Sequence, residues 1–242
     1  MMTYTTIRKL FISFRQLIHQ IAKDAMLFLA CAAPLLCGLF IRFGIPVAES
    51  FLNEHFNEVI LLPYYLIFDL FLAVLTAAMF SFVSAMVILG EIDDGITSYM
   101  AITPIGKSGY LVSRLIFPMI FSFVMSVAVL FVFSLTKLPF NIIIIISVMS
   151  SIFGFIMSMI IISMSTNKVE GLAVMKLSNI LMIGIPAPFL VSERLQFIFF
   201  LFPSFWISKY VMENNIYDFV IFIVISLSFV LLLLKKFMRK IK

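Results

Sequence analysis

Few residues in this chain have both the type and the spacing for chemistry. Gly106-Lys107-Ser108 ends like a phosphate-cradling loop. Such a loop wraps phosphates in backbone N–H groups and needs a further glycine at position 101, with a strand before it. Position 101 is Ala101, and Pro104 lies inside the would-be loop. No nucleotide site is expected, so energy for any pumping must come from another polypeptide or an ion gradient. His55 stands beside Glu54 and near Glu58. A metal would need a fixed third ligand, and a solvated loop accounts for these residues equally well. Both histidines, His19 and His55, fall outside the long apolar stretches, so no Ser/His/Asp or Cys/His set forms. Cys31 and Cys37 share one apolar segment. On a helix they point in well-separated directions and read as small core residues. No catalytic group, cofactor or metal is expected.

Asp69 is the one ionisable group set well inside an apolar stretch. A carboxylate there is costly and faces a partner or water. It could relay a proton or cation, or be hydrogen-bonded within the bundle. With no second buried carboxylate in view, the structural role is the favoured one.

The elements that position these residues are set by composition. Of 242 residues, 63% are hydrophobic and only 12% charged, and mean hydropathy is +1.19. A soluble domain keeps roughly a quarter of its residues charged; the solvent that suits this chain is a bilayer. A nucleic-acid reading would need a basic face on a soluble fold, and none is available. The expected architecture is an all-α membrane protein, a single unit over 1–242. Residues 4–22 place Ile7, Leu10, Phe11, Phe14, Leu17, Ile18 and Ile21 on one helical face, with Arg8, Lys9, Arg15, His19 and Lys23 on the other. A basic amphipathic helix of this kind lies in the membrane interface. Six spans are predicted at about 25–43, 63–89, 111–135, 142–165, 171–191 and 216–234, each near or above the roughly 20 residues needed to cross. The opening residues lack the pattern of a cleavable signal, so the first span is expected to serve as its own.

The segment 195–208 is apolar, yet as a helix it is only about 21 Å long against a core of roughly 30 Å. Pro203 interrupts it. It is expected to form two short pieces, a re-entrant hairpin over 194–212. Charge counting agrees. With six spans, both termini and the loops 90–110 and 166–178 share one side, which holds thirteen of the 17 Lys and Arg residues. Arg42, Lys137, Arg194 and Lys209 fall on the other. The positive-inside rule puts the first side, with both termini, in the cytoplasm.

The loop after the second span runs Gly90-Glu91-Ile92-Asp93-Asp94-Gly95 to Arg114. Acidic residues and Gly95 end the long helix; Thr97 to Ile102 allow a short helix, and Pro104 and Gly106 turn the chain back. The product is an elbow suited to docking on a partner.

Here the sequence resembles the ABC-2 family of transporter permeases. Glu91, Gly95, Thr103-Pro104, Lys107, Tyr110 and Arg114 follow the family's order of acid, glycine, Ser/Thr-Pro, base, and Tyr leading to a base. Asn167-Lys168-Val169-Glu170-Gly171 is similar to the start of its fifth helix, and Pro203-Ser204-Phe205-Trp206 to the motif in the hairpin before its last helix. Asp93-Asp94 departs from the pattern, since many members carry a base beside the first acid. The resemblance implies a permease subunit of an ATP-binding cassette exporter in a bacterial inner membrane. It implies a second permease copy, identical or a sister, and a separate ATP-binding subunit docked on the N-terminal helix and the elbow. Glu91 and Lys107 would make polar contact with that ATPase, and Gly95 and Pro104 would shape the elbow. The competing readings are a self-sufficient secondary transporter or channel, which would want several intramembrane charges or broken helices in matching halves, and a membrane immunity or sensor protein for an antimicrobial peptide.

Overall fold

The computed structural model describes residues 4–95, 110 and 112–240, and every regular element among them is helical. Helix α1 (Tyr4–Lys23) is strongly amphipathic and ends on Lys23, a cation at the negative end of its dipole. Asp24 starts the next helix: its side chain accepts from the backbone N–H of Met26 and Leu27, which satisfies donors that have no intrahelical partner. Helix α2 (Ala25–Leu39) passes through a π-helical turn, Phe40–Gly44, into α3 (Ile45–Phe56). The stretch expected as a loop from residue 44 is thus helical as far as Phe56, where Asn57 stops it in a left-handed conformation. A single 3₁₀ turn (Leu62–Tyr64) then opens α4, Tyr65–Asp93.

After the elbow, a second π-helical turn (Val112–Ile116) leads into α5, Phe117–Phe133. A short turn joins it to α6, Phe140–Met164. Five helical stretches are long and apolar enough to cross a membrane: Ala25–Phe56, Leu62–Asp93, Val112–Phe133, Phe140–Met164 and Ile216–Phe237. The chain is a multi-pass membrane protein. The remaining expected span, 171–191, takes a broken form. It consists of α7 (Lys168–Ser178), a 3₁₀ segment (Asn179–Gly184) and a short α8 (Ala187–Leu190). The α-helical ladder ends at Ser178; Pro186, which lacks an N–H, stands later, just before α8. A 3₁₀ segment (Glu193–Phe199) and α9 (Pro203–Glu213) flank Pro203, and α10 (Ile216–Lys240) closes the described chain.

Helix α4 lies in the middle, packed most extensively on α6 and α5. Close approach needs small residues where two apolar helices meet. Gly154 of α6 provides one: a Cβ there would sit 2.6 Å from the Ala77 carbonyl oxygen and from Ser81 Oγ. The bundle buries two large clusters, one toward each end. Phe82, Val83, Met86, Leu89, Leu115, Met159, Ile162 and Phe237 form one. Leu70, Val74, Leu130, Ile146, Phe153, Trp206 and Phe222 belong to the other. We call the first the basic end, because Lys23, Arg114 and Lys168 lie there. Residues 168–187 run between the clusters: Leu172 and Val174 pack on the basic-end one, and Met182, Ile185 and Ala187 belong to the other.

Candidate functional site

The last turn of α4 carries Glu91, and the segment before α5 carries Tyr110 and Arg114. The fold closes these two strands of chain on each other. Arg114 and Glu91 are 1% and 3% exposed and form an ion pair, Nη2 to Oε1, at 2.5 Å. Arg114 Nε adds contacts of 3.1 and 3.2 Å to the two carboxylate oxygens. The Tyr110 hydroxyl donates to Glu91 Oε2 at 2.8 Å. Gln20, on α1, donates to Oε1 at 3.4 Å. Ser84 Oγ donates to the Arg114 carbonyl oxygen. Burial, then the neighbouring carboxylate, pushes the Tyr110 phenol pKa upward, so the hydroxyl stays a donor. A buried charge needs this full complement of partners, because an unpaired one is strongly destabilising.

Around this cluster the ends of four helices are knitted together. Asn167 caps α7, accepting from the Glu170 N–H at 2.9 Å, while Glu170 reaches back to the Thr166 N–H at 2.6 Å. This is a variant of the reciprocal capping box. The Lys168 N–H donates to Asp93 at 3.0 Å, and its ammonium lies 3.7 Å from Asp24. Gly90 and Gly171 make room for the approach: a Cβ on Gly90 would sit 2.5 Å from Lys168 Cε, and one on Gly171 would run into Leu89. The motif from Asn167 to Gly171 therefore caps α7 and seats it on the end of α4. Gly95 adopts φ +69°, the left-handed conformation that ends α4, and open space lies where its Cβ would be.

Of the elbow residues singled out from sequence, Glu91 and Gly95 are thus placed, and Pro104 and Lys107 lie outside the described residues. Glu91 points into the chain, with both oxygens engaged by Arg114, Tyr110 and Gln20. Counting charges treated Arg114 as one more basic residue on the cytoplasmic side. The fold makes it the partner that keeps Glu91 charged in a dry place. Its sequence signal was the place of Tyr110 and Arg114 in the same motif as Glu91.

Asp69 lies at the other end of α4 and is fully buried. Its Oδ1 accepts from the Leu135 N–H at 2.8 Å and its Oδ2 from the Thr136 N–H at 2.9 Å, with the Thr136 hydroxyl on Oδ2 as well. Arg42 takes the carbonyl of the same turn, Nη1 to Ser134 O, at 2.7 Å. The carboxylate caps the turn between α5 and α6. Nearby, Glu49 closes the chain after α3 by accepting from the Leu61 N–H at 2.6 Å.

The Pro203 to Trp206 motif acts as a lock. Pro203 begins α9, Ser204 Oγ donates to the Leu181 carbonyl oxygen, and Trp206 Nε1 donates to the Phe200 carbonyl oxygen at 2.8 Å. Gly184 lets α9 come close, since a Cβ there would be 2.7 Å from the Phe205 nitrogen. Among the described residues no group of three or more His, Cys, Asp and Glu could hold a metal.

Residues 17–238 match the family model described as "Fluoroquinolones export permease protein Rv2686c-like". No curated protein matches, and no solved structure does.

Proposed function

The chain belongs to the Rv2686c-like export permease family, and from that premise we propose that it is the membrane subunit of an exporter powered by a separate ATP-binding cassette protein. The reading follows the ABC-2 plan. Six crossings arise from the five long helices plus 168–190, which runs from one buried cluster to the other. The pieces around Pro203 make the re-entrant hairpin, and both termini lie in the cytoplasm of a bacterial inner membrane. Two copies of the permease, or one with a sister subunit, enclose the path. The family description supports a fluoroquinolone, a small planar drug, as cargo.

The observation that carries this reading is the buried Glu91–Arg114–Tyr110 cluster. It fixes both roots of the elbow and reaches α1 through Gln20. A push received on the elbow or on α1 is thereby delivered to α4 and α5 as one rigid unit. With Glu91 engaged inside the chain, Lys107 is the residue we assign to contact with the ATPase.

The test is co-expression with a candidate ATP-binding subunit. The two should co-purify, and in nanodiscs the drug should raise ATP hydrolysis several-fold. Lys107→Glu should lower that stimulation while insertion and yield stay unchanged. A chain that purifies alone and moves fluoroquinolone in vesicles without ATP, along an ion gradient, would overturn the proposal in favour of a secondary transporter.

A further inference from the structure

A groove of about 440 Å³ lies beneath α1. Its roof is α1 itself, with Phe14, Leu17, Ile18, Ile21 and Ala22. Its walls come from the first turns of α2 (Phe28, Cys31, Leu35), from Phe80 and Val83 of α4, and from Pro118 to Met125 of α5. These wall positions span about 10 Å along α2, from Phe28 to Leu35, at 1.5 Å per residue. The groove therefore starts at the membrane surface on the basic end and runs part-way through one leaflet. It is open on one side, where Ile18, Phe28, Leu35 and Phe121 are exposed.

The rim has the opposite chemistry. Arg15, His19 and Lys23 follow one another at four-residue spacing on α1 and are exposed. On a helix this row stands directly beside the row of Ile18 and Ala22 that roofs the groove. Helix α1 itself contains no Asp or Glu; Lys23, at its end, also borders a polar pocket with Asp24 and Asp94, which leaves Arg15 and His19 as the part of the row farthest from carboxylates. Dry apolar walls below, and two cations with a histidine between them at the surface, fit one kind of molecule: a chain of methylenes ending in an anionic head.

We propose that this groove is a binding site for one acyl chain of an anionic phospholipid of the same leaflet, whose headgroup is held by Arg15, His19 and Lys23. Each element of the site answers to a part of that ligand. Burial of methylenes supplies affinity without direction. The charged row selects the headgroup, and a basic surface alone would attract anionic lipid diffusely, with no fixed place for its chain. A bound chain fills the space between α1 and the bundle, so lipid occupancy sets how firmly α1 is seated. The inference needs only membrane insertion and stands whether or not the chain works with an ATPase.

The experiment uses the full chain in nanodiscs carrying a trace of phosphatidylglycerol or phosphatidylcholine with a photoreactive diazirine on one acyl chain. After irradiation the labelled peptides are mapped. The phosphatidylglycerol probe should label the stretch from Phe28 to Leu35 and the stretch around Met125 at least five-fold more than the phosphatidylcholine probe. Arg15→Gln with Lys23→Gln should erase that difference. Ala32→Trp, which fills the groove, should abolish labelling there while labelling of the exposed face of α10 persists and the protein elutes as the wild type does. Equal labelling by the two probes in the wild type would overturn the proposal. So would labelling that survives Ala32→Trp, or a Cys31–Cys31 cross-link between copies that labelling does not compete with, since a second copy would then own the groove. Should Ala32→Trp fail to fold, Cys31→Phe fills the same space and is read the same way.

Discussion

The two ends of α4 solve one problem in two ways. Each buries a carboxylate, and each draws on an arginine from a π-helical turn: Arg114 at the basic end, Arg42 at the other. At the basic end the two meet, and Glu91 and Arg114 pair directly at 2.5 Å. At the far end they are kept apart by a shared turn, of which Asp69 takes the amides and Arg42 a carbonyl. Both π turns widen a helix by one residue and re-aim a side chain that an α turn would send elsewhere. The difference teaches what each end is for. At the far end Asp69 and Arg42 reach across 66 and 92 residues to hold the backbone of one turn. At the basic end the guanidinium closes the 23 residues between Glu91 and Arg114, a side-chain pair that sets the end of α4 against the start of α5.

The comparison breaks most sharply at Arg114. Arg114→Ala leaves a buried carboxylate with no cation and should cost about 3–5 kcal/mol. A large drop in thermal stability in detergent is the expected readout. The double variant Glu91→Gln with Arg114→Met removes both charges and should lose less than the single one. If the single and double variants melt alike, the pair is not what holds the elbow.

The far end should respond less. Asp69→Ala takes the acceptor from the Leu135 and Thr136 N–H groups; because these bonds are only part-buried, water replaces part of what is lost and the cost should be about 1–3 kcal/mol in all. Asp69→Asn keeps part of the cap and should lose less stability still. If Asp69 only caps the turn, Asp69→Asn should leave the pH dependence of transport as it was. A shifted pH profile in a transport assay would restore the relay reading.

The smallest effect sharpens the boundary between buried and surface electrostatics. The Lys168 and Asp24 side chains are 43% and 35% exposed and 3.7 Å apart. Lys168→Gln should change stability by about 1 kcal/mol or less, because α7 is seated by its backbone N–H on Asp93 and by Gly171. A melting-point change as large as that of Arg114→Ala would mean that the exposed pair, not the buried one, ties this end together.

Much of the framework was legible in the residues. Run lengths and hydropathy located the long helices, because a bilayer demands a minimum apolar length. The face pattern of α1 was plain, as was the helix end at Gly95. The break in the 171–191 stretch was not, because hydropathy sees the apolar run and is blind to where the hydrogen-bond ladder stops, at Ser178. The helical reach of α3 to Phe56 was hidden for the opposite reason: its polar residues, Glu54 and His55 among them, look like loop, and only the neighbouring turns decide that the ladder continues.

The sequence by itself determined the solvent, most of the long apolar helices and the absence of a phosphate-loop pattern, since these depend on composition and on spacing along one segment. It also put Asp69 in view as a costly carboxylate and Glu91 as the acid of the elbow. Only the tertiary structure decided which groups answer them. Glu91 meets Arg114 23 residues on and Asp69 meets a turn one helix away, and no spacing rule reaches over such a gap. Burial makes those partners obligatory; their identity rests on which helix ends the packing of α4, α5 and α6 brings side by side.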